Sequence, residues 1–167
     1  MRTLVKIVGG LVVLLVVFVV TARVVGLDPG STRPGMWLSG PVVTEPVTDW
    51  SFAEQALPRG MTDLETRQWF FPALAHSVRI SRFHNTGKLY ILSAYPAGVT
   101  LPDGRHWNKN VLADPNVRVR IGGKLYDRKM VFVSDNRAEY DDLMRSAGSL
   151  FWSPGMHFEV WRLDPPS

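Results

Sequence analysis

Between Leu89 and Val133 the chain alternates apolar and polar residues with a period of two, gives way once to a helical patch, and then resumes the alternation. Successive side chains of a strand point to opposite faces, so this pattern predicts consecutive strands of one sheet rather than a helical domain. Leu89 to Ala94 is apolar on both faces, which predicts a central strand. Arg105 to Ala113 sets Trp107 and Val111 four apart, the spacing of one helix face, and Pro115 then stops the helix. Val117, Val119 and Ile121 alternate with Arg118 and Arg120 in a strand with one buried and one basic face. Gly122 and Gly123 follow, and two residues that tolerate φ > 0 are what a two-residue hairpin requires. Met130 to Val133 reads as a strand buried on both sides.

The same reasoning extends over the flanks. Gly40 to Thr44 is a short strand closed by Pro46, and Asp49 to Phe52 is a further extended piece leading to a turn at Leu57-Pro58-Arg59-Gly60. Thr62 to Phe71 and Ser77 to Phe83 are neighbouring antiparallel strands, and Asn85-Thr86-Gly87-Lys88 turns the second of them into Leu89. Asn136 and Glu139 have the spacing of a capping box. After them Tyr140, Leu143, Met144 and Ala147 form the apolar stripe of a second helix, which ends before Gly148. His157 to Leu163 closes the set. Seven short strands and two helices, with no internal repeat and no alternating βαβ units, predict a mainly β class: an antiparallel barrel with two short helical insertions.

A family likeness rests on these residues. Ser93-Ala94-Tyr95 is followed by Trp107-Asn108, Asn110, Leu112, Asp114-Pro115, Val117, Val119 and Ile121-Gly122-Gly123. This succession resembles the flavin-binding split β-barrels, most closely their deazaflavin-dependent nitroreductase branch, over about 45 of the 167 residues. The resemblance implies an antiparallel split β-barrel and a bound FMN or deazaflavin coenzyme. It also implies a ligand groove at Ser93, Ala94, Tyr95, Trp107 and Asn108. Where the family carries a Gly-Arg-Lys-Ser-Gly phosphate loop, this chain has Arg67-Gln68-Trp69-Phe70-Phe71-Pro72, and Tyr95-Pro96-Ala97-Gly98 stands where the family has a Gly-Gly pair.

The N-terminus carries a different signal. Between Lys6 and Arg23 lie 16 consecutive uncharged residues, mostly Val and Leu, and the run reaches Leu27 if Arg23 snorkels towards the headgroups. About 20 apolar residues span a bilayer, so residues 1–27 fit a transmembrane helix or signal anchor. A cleaved signal peptide ending at Val20-Thr21-Ala22 is the alternative. Residues 28–40 hold two prolines and three glycines and predict a linker, leaving 41–167 for the barrel domain. With Arg2 and Lys6 ahead of the run, the positive-inside rule sets the barrel outside the cytoplasm, against the opposing pull of Arg23 and Arg33. Subtracting Arg2, Lys6 and Arg23 from the 19 lysines and arginines leaves 16 bases against 15 acids, a net of +1. That balance gives no basic surface for nucleic acid.

Most hydrolytic and metal chemistry lacks its residues. There is no cysteine and no Gly-x-Ser-x-Gly elbow, and the histidines His76, His84, His106 and His157 have no metal-ligand spacing. Each reads as an ordinary surface or strand-end residue. Arg79, Arg82, Arg118, Arg120, Lys124, Arg128 and Lys129 form a set of anion-friendly groups, of which Arg79 is the candidate for the phosphate of a nucleotide-like cofactor. No residue is assigned as catalytic, because a flavin carries the redox step itself. The expected partners are the membrane, that cofactor and a second copy of the chain. The reading is a membrane-anchored oxidoreductase-like barrel. Its alternative is a non-catalytic tethered barrel that binds a small ligand or an envelope protein through the exposed Trp69, Phe70 and Phe71.

Overall fold

The computed structural model describes residues 2–53, 60–147 and 155–166. Helix α1 (Arg2–Val25) is followed by strands β1 (Val42–Val43), β2 (Met61–Arg67), β3 (Ala75–Asn85) and β4 (Lys88–Pro96). Helix α2 (His106–Ala113), strands β5 (Asn116–Ile121) and β6 (Lys124–Phe132), helix α3 (Arg137–Ala147) and strand β7 (Met156–Asp164) complete the order. Six strands pair antiparallel in the circuit β6-β5-β2-β3-β4-β7, and β7 returns to β6 through Lys129↔Asp164 to Phe132↔Trp161. The sheet therefore closes on itself.

Two local devices set the register. Gly122 and Gly123 have φ of 58° and 76°, so the β5-β6 turn takes the left-handed pair that glycine adopts without a Cβ clash. β6 bends along its length: β5 covers one edge, while the other receives β1 at Leu125 and Tyr126 and β7 from Lys129 onwards. The β1 pairing is parallel, an exception to the all-antiparallel expectation, and it lasts two residues.

Leu64, Leu89, Ile91, Val119 and Ile121 fill the barrel, as the period-two pattern requires. Trp107 and Val111 of α2 close one end, and Trp50 closes the other, with its ring 5.1 Å from Tyr126 and the Arg128 guanidinium 4.7 Å from its centre. Outside the barrel, Tyr90, Leu92, Val133 and Val160 pack with Leu143 of α3. Arg162 fixes that helix by forking between Glu139 at 2.8 Å and Asp164 at 2.6 Å. Half of the expected capping box forms: the Glu139 amide donates to Asn136 Oδ1 at 3.4 Å, while the Asn136 amide bonds Val133 O.

Some boundaries differ from the sequence reading. Asp49 to Phe52 is a turn and not an extended piece, because Asp49 accepts the Ser51 amide at 2.9 Å and the Ala53 amide reaches Trp50 O at 2.9 Å. β2 ends at Arg67, since the Gln68 amide bonds Leu74 O and the Leu74 amide bonds Phe71 O, turning Trp69 to Phe71 into the tip of a hairpin loop. Val131 and Phe132 are half-buried. The turn expected at Leu57 to Arg59 and the helix end at Gly148 lie outside the described residues.

Residues 26–39 run back along the barrel. Gly35 exchanges two backbone hydrogen bonds with Ser77 of β3, at 2.8 and 3.1 Å. A Cβ at position 35 would stand 2.1 Å from Leu27 O, so only glycine permits this approach. Trp37 packs with Ala22 of α1 and Ala75 of β3. Asp63, 4% exposed, receives Arg79 at 2.8 Å and Arg120 at 2.6 Å, and Arg120 also reaches Asp28 at 2.6 Å. Replacing Asp63 by Ala leaves two guanidinium groups facing each other on the barrel wall. The expected cost is about 3 kcal/mol, against roughly 0.5 kcal/mol or less for Ala at the exposed Asp141, read as the shift in denaturant midpoint.

Candidate functional site

β3 and β4 are hydrogen-bonded only from Arg82↔Ile91 to Asn85↔Lys88. Above that point they part. The upper half of β3 stays with β2 through Arg67↔Ala75, and the upper half of β4 stays with β7 through Pro96↔Met156. The start of α2 lies over the gap, and a cleft of about 420 Å³ opens there. Its walls are Val78 and Ile80 from β3, Leu92 and Ala94 from β4, Trp107 from α2 and Phe158 from β7. The polar groups are His76, Arg79, Ser81, Ser93, Arg105 and His106, with Pro34 at the rim.

Of the six sequence candidates, four line this cleft: Arg79, Ser93, Ala94 and Trp107. Asn108 and Tyr95 stand behind it. Asn108 Nδ2 donates to Ser93 Oγ at 3.3 Å and to Tyr95 Oη, and both Asn108 and Tyr95 are fully buried. Asn108, at the helix start, is thus withdrawn from solvent. The side chain packs inward because its amide is the partner of the two hydroxyls on β4, and its Oδ1 has no partner among the described residues. Burial pushes the Tyr95 phenol up from its ordinary range, which keeps it a neutral hydrogen-bonding group.

The basic set from the sequence disperses. Arg79 gives Nε and Nη2 to Asp63, and this hydrogen-bonded carboxylate raises its pKa further. Arg82 is buried, bonding the carbonyls of Met61 and Ala53, while Arg118 forks onto Asp127 at 2.6 and 3.0 Å. These are structural cations. Arg105, absent from the sequence candidates, reaches into the cleft, where Nη2 donates to Ala94 O at 3.1 Å.

Two histidines are the other residues that sequence reasoning missed. The rings of His76 on β3 and His106 on α2 are 5.0 Å apart, and His106 Nε2 is 3.2 Å from Gln68 Oε1. They are 30 positions apart on different elements, so no spacing could announce them. His76 Nδ1 is buried without a partner among the described residues. Burial first, and then the neighbouring His106, hold the His76 imidazole below its usual pKa. Among the described residues no group of three or more His, Asp or Glu is placed to hold a metal.

No family model and no curated protein matches the chain. Solved structures do resemble it. A haem storage protein from Vibrio cholerae is 14% identical, with 66% of this chain and 84% of that one covered and a TM-score of 0.47. A NimC/NimA family protein from Clostridium acetobutylicum is 16% identical over 70% of this chain and 84% of its own, with a TM-score of 0.43. An F420-H2 dependent reductase is 22% identical over 65% of this chain and 97% of its own, with a TM-score of 0.42. The chain folds as a split β-barrel. That conclusion rests on its own strand circuit, closed by β6 and β7 and opened between β3 and β4.

His76 also sets a pH dependence. The unfolded imidazole takes up its proton near pH 6.5, whereas the folded one remains neutral to lower pH. The unfolded state then binds more protons in that window, so stability present above pH 6.5 declines as the pH falls below it. His76→Gln is expected to flatten this decline in melts taken at stepped pH.

Proposed function

We propose that this chain is a membrane-anchored split-barrel protein that holds a flavin or deazaflavin coenzyme in the cleft between β3 and β4 and acts there as an oxidoreductase. Residues 1–27 serve as the anchor, 28–40 as the connection and 41–167 as the barrel, which lies outside the cytoplasm. The observation that carries this reading is the parting of β3 and β4 beneath α2, which gathers Arg79, Ser93, Ala94 and Trp107 around one cleft.

The residues present fit such a group. The cleft is of ligand size, its walls are apolar, and its polar groups are few and convergent. Val78, Ile80, Leu92 and Trp107 offer flat apolar area to a fused ring. Ser93, held by Asn108, would offer its hydroxyl to the ring, and the unpartnered Nδ1 of His76 is a buried polar atom at the same cleft. Arg105 supplies charge-assisted donors for an anionic tail, joined by the Nη1 of Arg79 that Asp63 does not engage. The coenzyme, when bound, supplies the hydride chemistry. The chain's own work is to orient it, exclude water from the ring with Trp107 and Phe158, and hold Ser93 and His76 in fixed hydrogen-bonding positions.

Purified full-length protein provides the test. Bound oxidised flavin absorbs near about 450 nm, where protein does not, and added FMN or deazaflavin should raise the melting temperature with concentration. Asn108→Ala removes the amide that positions Ser93, so affinity should fall about tenfold or more and the unliganded fold should lose about 1 to 3 kcal/mol. A colourless preparation that neither coenzyme stabilises overturns the proposal.

A further inference from the structure

Helix α1 has 24 residues and, at about 1.5 Å each, is about 36 Å long, a little more than a hydrocarbon core of about 30 Å. The uncharged stretch ends at Arg23, so its last turn, Val19 to Ala22, lies at the boundary on the barrel side if the helix spans. Val19 and Ala22 share one apolar cluster with Trp37, Leu74 and Ala75. Leu74 and Ala75 are the returning base of the β2-β3 hairpin. The barrel is thus held with this hairpin at the depth where α1 leaves the bilayer.

The tip of the same hairpin is Trp69-Phe70-Phe71, and these side chains are 53%, 58% and 52% exposed. Three large aromatics in a row on a surface mark an interaction site. They are also held in place: the Trp69 amide donates to Asn110 Oδ1 at 3.1 Å, and the Trp69 and Phe70 rings meet edge to face at 5.6 Å. Beside them a hollow of about 470 Å³ is lined by Arg23 and Arg67, together with Glu65 and the Arg118-Asp127 pair. Arg67 is two-thirds exposed and reaches Asp114 only at 3.4 Å. Aromatic side chains favour the headgroup level of a bilayer, and cations beside them favour anionic headgroups.

We infer that the hairpin tip at Trp69 to Phe71 is a second membrane contact, seated in an anionic lipid surface beside α1, with Arg23 and Arg67 at the level of the phosphates. This inference rests on the proposed spanning role of α1. The packing of the hairpin's base, Leu74 and Ala75, against the last turn of that helix favours lipid over a protein partner.

The cysteine-free chain makes the test direct. Single cysteines replace Phe70 at the tip, Val12 within α1, and Lys88, which β3 carries about 36 Å away from the tip. Each full-length variant bears an environment-sensitive fluorophore and is reconstituted in vesicles of phosphatidylcholine and phosphatidylglycerol. The label at position 70 should be quenched by a nitroxide near the lipid headgroup and be several-fold less open to aqueous iodide than the label at 88. Omitting phosphatidylglycerol should weaken the quenching at 70 and leave position 12 unchanged. Trp69→Cys repeats the measurement at a neighbouring site, so that one disturbed aromatic cannot decide it. A label at 70 as open to iodide as that at 88 overturns the inference, as does shielding from iodide without lipid quenching, which would reveal a protein partner or a second copy. Position 12 in lipid with 70 in water removes the tip contact alone, whereas position 12 in water with 70 in lipid removes the spanning helix and keeps the tip.

Discussion

One carboxylate holds three strands and the segment that follows α1 together. Asp63 sits in the middle of β2, directly opposite Arg79 of β3 and Arg120 of β5, and both guanidinium groups bond it. Arg120 continues the chain of charges to Asp28 and Ser39, where residues leaving α1 turn along the barrel. Asp28 in turn accepts the Ser39 amide and hydroxyl at 2.9 and 2.6 Å. A carboxylate this buried requires its full set of donors, and the two flanking strands supply them from the positions that cross-strand pairing dictates. The alternating arginines of β5 are therefore a clamp on the wall of the barrel, and their charge is spent inside the protein.

The cleft follows from how the strands are committed on either side of it. β3 is held to β2 by seven consecutive pairs and by the Arg79-Asp63 fork, while β4 is held to β7 along the seven pairs from Tyr90 to Pro96. Beyond Arg82 and Ile91 β3 follows β2 and β4 follows β7, and the two edges that face each other separate. α2 is positioned over the opening by two buried amides of its own. Asn108 bonds the hydroxyls of Ser93 and Tyr95 on β4, and Asn110 bonds Thr66 of β2 at 2.8 Å and accepts the Trp69 amide. One helix thus ties β4, on one side of the split, to β2, the strand beyond β3 on the other, and its Trp107 reaches the barrel core as well as the cleft.

What was legible in the sequence was local. The period-two runs placed β3 to β5 within a residue or two, because burial of one face leaves no other pattern, but caught only the end of β6, and the two glycines announced the β5-β6 turn through a backbone requirement. Ser93 and Asn108 were identifiable as polar residues in apolar surroundings, yet the sequence could not show that they satisfy each other, since that depends on where α2 is laid across β4. His76 and His106 meet only because β3 and α2 border the same gap. Arg79 looked like an anion ligand, and only the register against β2 reveals that Asp63 already faces it. Pairwise chemistry between distant elements carries no periodic trace, so it is the part of the site that had to be seen.

The same juxtaposition connects α1 to the cleft. Gly35 takes a place on the edge of β3 at Ser77, and Pro34 stands at the rim of the opening, so the segment from α1 forms one side of the site. Leu27 and Trp37 lock that segment into a loop, the Leu27 amide bonding Trp37 O at 2.8 Å and the Met36 amide bonding Leu27 O at 2.7 Å. A Pro- and Gly-rich stretch of this length would act as a free tether if it were solvated. Here its backbone groups are satisfied by the barrel and by itself, and its charge, Asp28, is bonded to Arg120. The position of α1 and the shape of the cleft are consequently set by one set of contacts, and a displacement of the helix relative to the barrel must break either the Gly35-Ser77 pair beside the ligand cleft or the charge chain that ends on Asp63.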